Sequence, residues 1–404
     1  TRARMHGLLH SAGGTRRAGL LACCFVLFAQ QSCAFLSVNP ALGLRTHMSQ
    51  HCCSSRGPPL SLRESRRRGG ATITMEETML ETPCLGAAQT STWCWNGYDI
   101  RFSQTQPTSS SSKPAVVMIH GFGSSCDTWR NQYDALAEAG HPVYGIDLLG
   151  LGGSEKAADA DYSITLWKNQ IFDFIQQVVK SEDVILFGNS IGSLVSVNCA
   201  ADAEKKDIIS GLVLMNCAAG MNSKFVLYDK RTSPVGKAIS AVVFGILEVV
   251  LNTKPIAQYF FNNLRGAGNI ESVLQNVYVN KAAVDADLVQ SICKPAEDPA
   301  ALDVFVKIVI GDPGVTPDTI MDQVTAPMLL VWGDQDIVTP LKVGYGPYFT
   351  EELVETRPNT ELVVVNGGHC PHDDCPADVN AGVLEWLARL PALDSQPVQA
   401  AKLE

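Results

Sequence analysis

Four short apolar runs recur between positions 115 and 215, each closed by turn-forming residues. They are Ala115–Ile119, Val143–Ile146, Val184–Phe187 and Leu212–Met215. They are apolar without alternation, as expected of strands buried on both faces of a parallel sheet. Trp95-Asn96-Gly97-Tyr98 sets Asn-Gly between strand-forming residues and predicts a hairpin that returns through Ile100–Phe102, followed by a Ser-rich loop over 104–114. Between the runs the period changes. Asp127–Ala139 (Trp129, Tyr133, Leu136, Ala137) and Ile164–Val179 (Leu166, Ile171, Phe174, Ile175, Val178) repeat at helical spacing, and Ser193–Ala203 is expected to be helical. Strands alternating with helices predict an α/β fold, with a mostly parallel sheet and helices on both faces.

From Gly220 to about Val324 the alternation stops. Ile239–Leu251 is strongly apolar with Glu248 as its one charge, and Gln258–Leu264 and Asp303–Ile310 are helix-like. The segment reads as a helical insertion, a lid. Strands resume at Met328–Trp332 and Glu361–Val365, and Ala381–Leu390 is a closing helix. The expected divisions are a leader over 1–75, a linker over 76–92, core over 93–220, lid over 221–324, core over 325–391 and a tail over 392–404.

Charge separates the leader from the rest. The chain of 404 residues carries a net −10, yet residues 1–75 hold ten Arg, no Lys and one acid, Glu64. The leader is thus +9 and the remainder −19. With 46% hydrophobic and 18% charged residues the chain is globular in composition, and an acidic body argues against a nucleic-acid partner. In the leader, with Met5 the expected initiator, Arg16-Arg17 precede the apolar run Ala18–Ala29 and then Ser32-Cys33-Ala34. That is the order of a signal peptide and its cleavage site. The run is too short for a membrane span. A Ser/Arg-rich, acid-poor segment follows from Phe35 to about Arg68. The whole resembles the bipartite presequence of algae with complex plastids, which implies plastid delivery; a plain secretory signal with a linker is the alternative. Five of 13 cysteines fall in the leader, and most of the other eight read as core residues or free thiols.

Gly188-Asn189-Ser190-Ile191-Gly192 lies between a strand and a helix. Gly-x-Ser-x-Gly in that context is a nucleophile elbow: the serine takes a strained turn at a helix N-terminus, and Gly188 and Gly192 relieve the clashes. A serine hydroxyl needs a base. The body offers His120, His141, His369 and His372. His141, in Ala-Gly-His-Pro, reads as structural. His369 follows a strand through a short Gly loop and is the expected base, with His372 a loop or supporting residue. The spacing of His369, Cys370, His372 and Cys375 fits no usual zinc pattern. The orienting carboxylate should lie between serine and histidine in the chain, and Asp336 is preferred to Asp334 after the strand Met328–Trp332. The amides of Ile191 and Phe122 are the expected oxyanion donors. Gly150–Ser154 lacks the Lys-Ser/Thr of a phosphate loop, and no metal or nucleotide cofactor is implied.

With these residues assembled, the span from about Trp93 to Leu390 resembles the α/β-hydrolase superfamily. That resemblance gives His120 and Gly121 the role of shaping the oxyanion loop. Within the superfamily, Gly188–Gly192 and Gly368-His369-Cys370-Pro371-His372-Asp373 look like the pheophytinase and chlorophyll-dephytylase-like hydrolases of plastids. Members commonly end the second motif in Glu where this chain has Asp374, and carry a second Gly after the elbow where Ser193 stands. The resemblance implies a serine esterase acting on a phytyl or related ester of a chlorophyll pigment. Dehalogenases and epoxide hydrolases need Asp at the elbow. Lipases, carbon–carbon bond hydrolases, peptidases and triad-retaining small-molecule receptors remain alternatives. The expected partner is a small hydrophobic ester. No spanning segment is expected in the mature chain, with peripheral membrane contact possible through the lid. In the lid, Val242–Leu247 and Tyr259–Phe261 are candidates to cover the site, or form the lid's own core.

Overall fold

The computed structural model describes residues 88–107 and 113–394. The leader, with its signal and transit readings, lies outside the described residues, as does the tail from 395. Eight strands form one sheet in the order β1-β2-β4-β3-β5-β6-β7-β8. They are β1 (Gln89–Trp95), β2 (Tyr98–Thr105), β3 (Ala115–Ile119), β4 (Val143–Ile146), β5 (Val184–Asn189), β6 (Ile209–Met215), β7 (Met328–Gly333) and β8 (Thr360–Val365). The β1–β2 and β2–β4 pairings are antiparallel and the rest parallel. The hairpin turns at Asn96 (φ 52°) and Gly97 (φ 90°) as the Asn-Gly pair predicts.

The core begins earlier than position 93. Gln89–Thr92 already pair with Arg101–Gln104. These residues carry no apolar signal because an edge strand is half solvated.

Alternate residues of the inner strands feed two apolar layers. Val117, Ile119, Leu186 and Leu330 point into one, and Val116, Met118, Phe187 and Val331 into the other. Covering both faces are α1 (Tyr133–Glu138), α2 (Ile164–Phe174), α3 (Ile191–Ala200) and, at the chain's end, a helix over Pro376–Asp394. Three predicted helices differ in detail. Asp127–Ala139 is split into a 3-10 turn (Cys126–Trp129) and α1. The last turn of the 164–179 helix loosens into a π-helix over Ile175–Val179, and α3 starts at Ile191, not Ser193. The closing helix runs through Asp394, past the expected end at Leu390.

Between β6 and β7 the insertion is helical: α4 (Pro234–Asn252), α5 (Lys254–Leu264), α6 (Ala267–Val277), α7 (Ala286–Cys293) and α8 (Ala301–Ile310). Its small cores draw on Leu251, Phe261 and Leu302 and on Ile270, Leu274 and Leu288. By length and composition α4 is apolar enough to cross a membrane, with a mean hydropathy of 1.9. That qualifies the expectation of no spanning segment. After β7 come α9 (Leu353–Thr356), preceded by a π-turn, and α10 (Pro371–Asp374), neither of which the sequence pattern announced. The seven described cysteines are all free.

Candidate active site

Ser190 sits between β5 and α3 at φ 55°, ψ −119°, a conformation non-glycine residues rarely adopt. The flanking glycines make it possible. A Cβ on Gly188 would meet the Ser193 nitrogen at 2.4 Å, and one on Gly192 would meet the Ile119 carbonyl oxygen at 2.1 Å. Ser193 is fully buried. Its hydroxyl donates to the Gly188 carbonyl (2.7 Å) and accepts from the Met215 amide (3.1 Å), so it fastens the elbow to β6.

The carboxyl ends of β7 and β8 supply the other two residues. His369 Nδ1 donates to Asp336 Oδ2 at 2.8 Å. Burial would push the Asp336 carboxyl up, but His369 and the hydroxyl of Thr339 and amide of Val338 outweigh it and hold it below the usual carboxylate range. Asn216, at positive φ (46°) after β6, donates to the same oxygen at 2.6 Å. Asp334, by contrast, donates its backbone amide to Val365 and takes no part in this network. Ser190 and His369 line one cavity. No hydrogen bond joins them among the described residues; such bonds commonly close only with substrate present.

His120 is fully buried. Its Nε2 accepts from the Leu148 amide (3.1 Å), so the ring proton lies on Nδ1 and is donated to the Gly121 carbonyl (2.7 Å). Burial lowers its pKa despite the nearby Asp147 carboxylate. A neutral imidazole thus pins the loop carrying Gly121 and Phe122. The amides of Phe122 and Ile191 enter no backbone–backbone hydrogen bond among the described residues. Ile191 opens α3, where amides lack helical partners.

The loop around His369 is held by residues that spacing alone did not expose. Asn189 donates to the His369 carbonyl (2.9 Å). The Asp374 carboxylate accepts from the amides of Gly368 (2.6 Å), Val279 (2.9 Å) and Asn280 (2.7 Å). Asp373 accepts from Arg130 (2.7 Å), Asn131 and Tyr278, though burial still raises its pKa. His372 is buried and stacked on Trp129 at 4.1 Å between ring centres, away from the Asp336–His369 pair. Among the described residues no three His, Cys, Asp or Glu side chains group to hold a metal. The Gly150–Ser154 loop is closed by its own chain, the Gly153 amide donating to Asp147 at 2.6 Å. His141 is bound to the Pro114 carbonyl, a structural contact.

Two cavities meet at Ser190 and Phe122. The larger, about 330 Å³, is walled by Phe261, Ile270, Leu274, Leu288 and Phe305 of the insertion and touches His369. The smaller, about 150 Å³, is walled by Met221, Phe225, Phe244, Leu247 and Ile308. Of the candidate lid residues, Phe244, Leu247 and Phe261 face these spaces, while Val242, Ile246 and Tyr259 face solvent.

A mostly parallel eight-stranded sheet with a serine on a strained strand–helix turn, a His–Asp pair on the last two strands and an inserted helical cap is the architecture of an α/β hydrolase. The chain belongs to the alpha/beta hydrolase family, whose model matches residues 116–382. It is 26% identical over 271 residues to an uncharacterised protein of Mycobacterium tuberculosis, covering 66% of this chain and 73% of that one. It is 25% identical over 262 residues to lipase 3 of Moraxella sp. (63% and 71% covered). It is also 25% identical over 314 residues to the chloroplastic pheophytinase of Arabidopsis thaliana (69% and 62% covered). Among solved structures, a serine hydrolase involved in carbazole degradation overlays with a TM-score of 0.56 at 20% identity, covering 75% of this chain and 99% of that one.

Proposed function

We propose that this hydrolase is a serine esterase that cleaves a bulky hydrophobic ester, such as the phytyl ester of a chlorophyll or pheophytin, through an acyl-enzyme. The observation that carries the reading is the meeting of two apolar cavities at Ser190, beside a His369–Asp336 pair. An ester bound with its carbonyl at the junction has one chamber for the acyl part and one for the alcohol. His369 Nδ1 is committed to Asp336, so its Nε2 is free to take the Ser190 proton as the hydroxyl attacks. The amides of Phe122 and Ile191 receive the oxyanion. Asp336 stabilises the imidazolium, the protonated base releases the alcohol, and water completes the cycle. Likeness to both a lipase and a pheophytinase supports a greasy ester without choosing the pigment.

Ser190→Ala should abolish fluorophosphonate labelling and lower ester turnover by about 10⁴-fold or more. Labelling that survives would remove Ser190 from its role. Pheophytin and chlorophyll should be set against triacylglycerol and p-nitrophenyl esters with the wild-type protein. Turnover confined to the lipid esters would reject the pigment, and a single stoichiometric turnover would point to a receptor. The leader's composition supports plastid delivery of this activity. A fluorescent fusion of residues 5–75 should label the plastid, and label held in the secretory path would reject that address.

A further inference from the structure

The outward face of α4 is inverted relative to an ordinary surface helix. Such a helix turns its polar residues to water. Here Val235, Ile239, Val242, Ile246 and Val249 are 68%, 46%, 64%, 54% and 70% exposed. Their spacing of four and three residues keeps them on one stripe. The other exposed positions from 234 to 249 are Pro, Ala and Gly. Glu248 is turned aside into an ion pair with Lys224 at 2.7 Å. Exposed Tyr228 precedes the helix, and exposed Ile256 and Tyr259 follow it.

Charge along this stretch of sequence runs against the rest of the protein, with Arg231 and Lys254 also meeting Asp318 and Asp303 from outside it. Residues 224–265 contain six bases (Lys224, Lys230, Arg231, Lys237, Lys254, Arg265) and two acids (Asp229, Glu248), a net of +4. The body that carries them, residues 76–404, is −19. Two copies of the chain meeting through α4 would bring like charges together. An anionic surface would complement them.

We infer that α4 seats this protein on an anionic lipid bilayer, lying in the plane of the interface with the stripe from Val235 to Val249 among the acyl chains. Nineteen residues at 1.5 Å make a helix of about 28 Å, long enough to span. Its inner face nevertheless stays with the protein: Ser240, Phe244 and Leu251 are buried, and Phe244 and Leu247 wall the smaller cavity at Ser190. Lying flat keeps those contacts, lets Lys237 and Lys254 reach the headgroups, and matches what an interfacial amphipathic helix requires. The cavity wall and the membrane surface are then two faces of one helix, so a lipid-dissolved ester has a short route inward. Seating itself does not depend on the esterase reading.

The test uses the full chain and a Ser190→Ala version, so that binding is read apart from turnover. A photoreactive benzoylphenylalanine at position 242 should cross-link to lipid in phosphatidylglycerol vesicles, and one at the exposed position 364 on β8 should not. Ile239→Asp with Val249→Asp should cut the lipid cross-link at 242 at least tenfold, as should 0.5 M salt, while p-nitrophenyl acetate turnover is unchanged. Three results would overturn the proposal: no lipid cross-link at 242, equal cross-linking at 364, or cross-linking at 242 to a second copy of the chain.

Discussion

His372 shows how a residue near His369 can matter without entering the proposed chemistry. Its ring lies flat on Trp129, and burial, with a smaller contribution from His369, pushes it down to about 3. An unfolded histidine titrates near 6.5. Between those values the unfolded chain takes a proton that the folded chain refuses, so stability falls as pH falls through this window. At pH 5 the loss is about 2 kcal/mol. His372→Phe keeps the stacking and removes the titration. Its melting temperature should therefore drop less than that of the wild type between pH 7 and pH 5; equal drops would refute the assignment. His120 and His141 are shifted in the same direction and remain in both proteins, so the comparison isolates His372. Residues of this kind divide what the sequence displays from what it hides. Ser190, Asp336 and His369 could be picked out as candidates because each follows a predicted strand through a short turn. Asn189, Asn216, Ser193 and Asp374 could not, because each also makes a contact across 22 to 180 positions of sequence, and nothing local marks an amide, hydroxyl or carboxylate that will find a distant backbone or side chain. The order of Ser190, Asp336 and His369 along the chain anticipated the pairing; the strength with which Asp336 is held did not show.

At the scale of elements, the loop bearing His369 is anchored on two sides. Arg130, just after the 3-10 turn that precedes α1, pairs with Asp373 in α10 and with Asp285 at the start of α7. The Asp373 side chain is fully buried and that of Arg130 is 16% exposed. Removing one partner of such a pair leaves an uncompensated buried charge, which typically costs about 3–5 kcal/mol. Arg130→Met should destabilise the protein by about 3 kcal/mol in urea unfolding and raise KM and lower kcat together, since the loop bearing His369 loses its footing; a loss under 1 kcal/mol would mean the pair is not holding the loop. Inner strands were read to within three residues because burial on both faces leaves an unbroken apolar run. Edges and irregular helices were not. Gln89–Thr92 pair through backbone, with one hydroxyl contact between Thr90 and Ser103, and the π-turn at Ile175–Val179 ends on Lys180 in a left-handed conformation that no periodicity announces.

For the molecule as a whole, the helical insertion roofs the sheet's carboxyl edge and gives the junction at Ser190 its apolar walls. Leu274 of α6 borders the larger cavity. Leu274→Trp should reduce turnover of long or branched esters at least tenfold and leave p-nitrophenyl acetate close to wild type; an equal loss on both would show that this cavity is not where the bulky part binds. Helical character of residues 221–324 was legible from the lapse in strand signals. Which residues face inward was not, since Val242–Leu247 are apolar throughout and only packing separates Phe244 from Ile246.

Asp374 carries a consequence for how such a protein can change over time. One carboxylate receives the amide of Gly368, beside the base, and the amides of Val279 and Asn280, at the exit of α6. His369 itself donates its backbone amide to the Val277 carbonyl. Core and insertion are therefore keyed to each other at Gly368 and His369, and a change on one side must be matched on the other to keep these bonds. A chimera given another relative's cap would keep its histidine in register only if the cap's own turn arrived with donors matching that carboxylate. The cavity walls can then vary without touching these bonds, while the turn that meets Asp374 cannot.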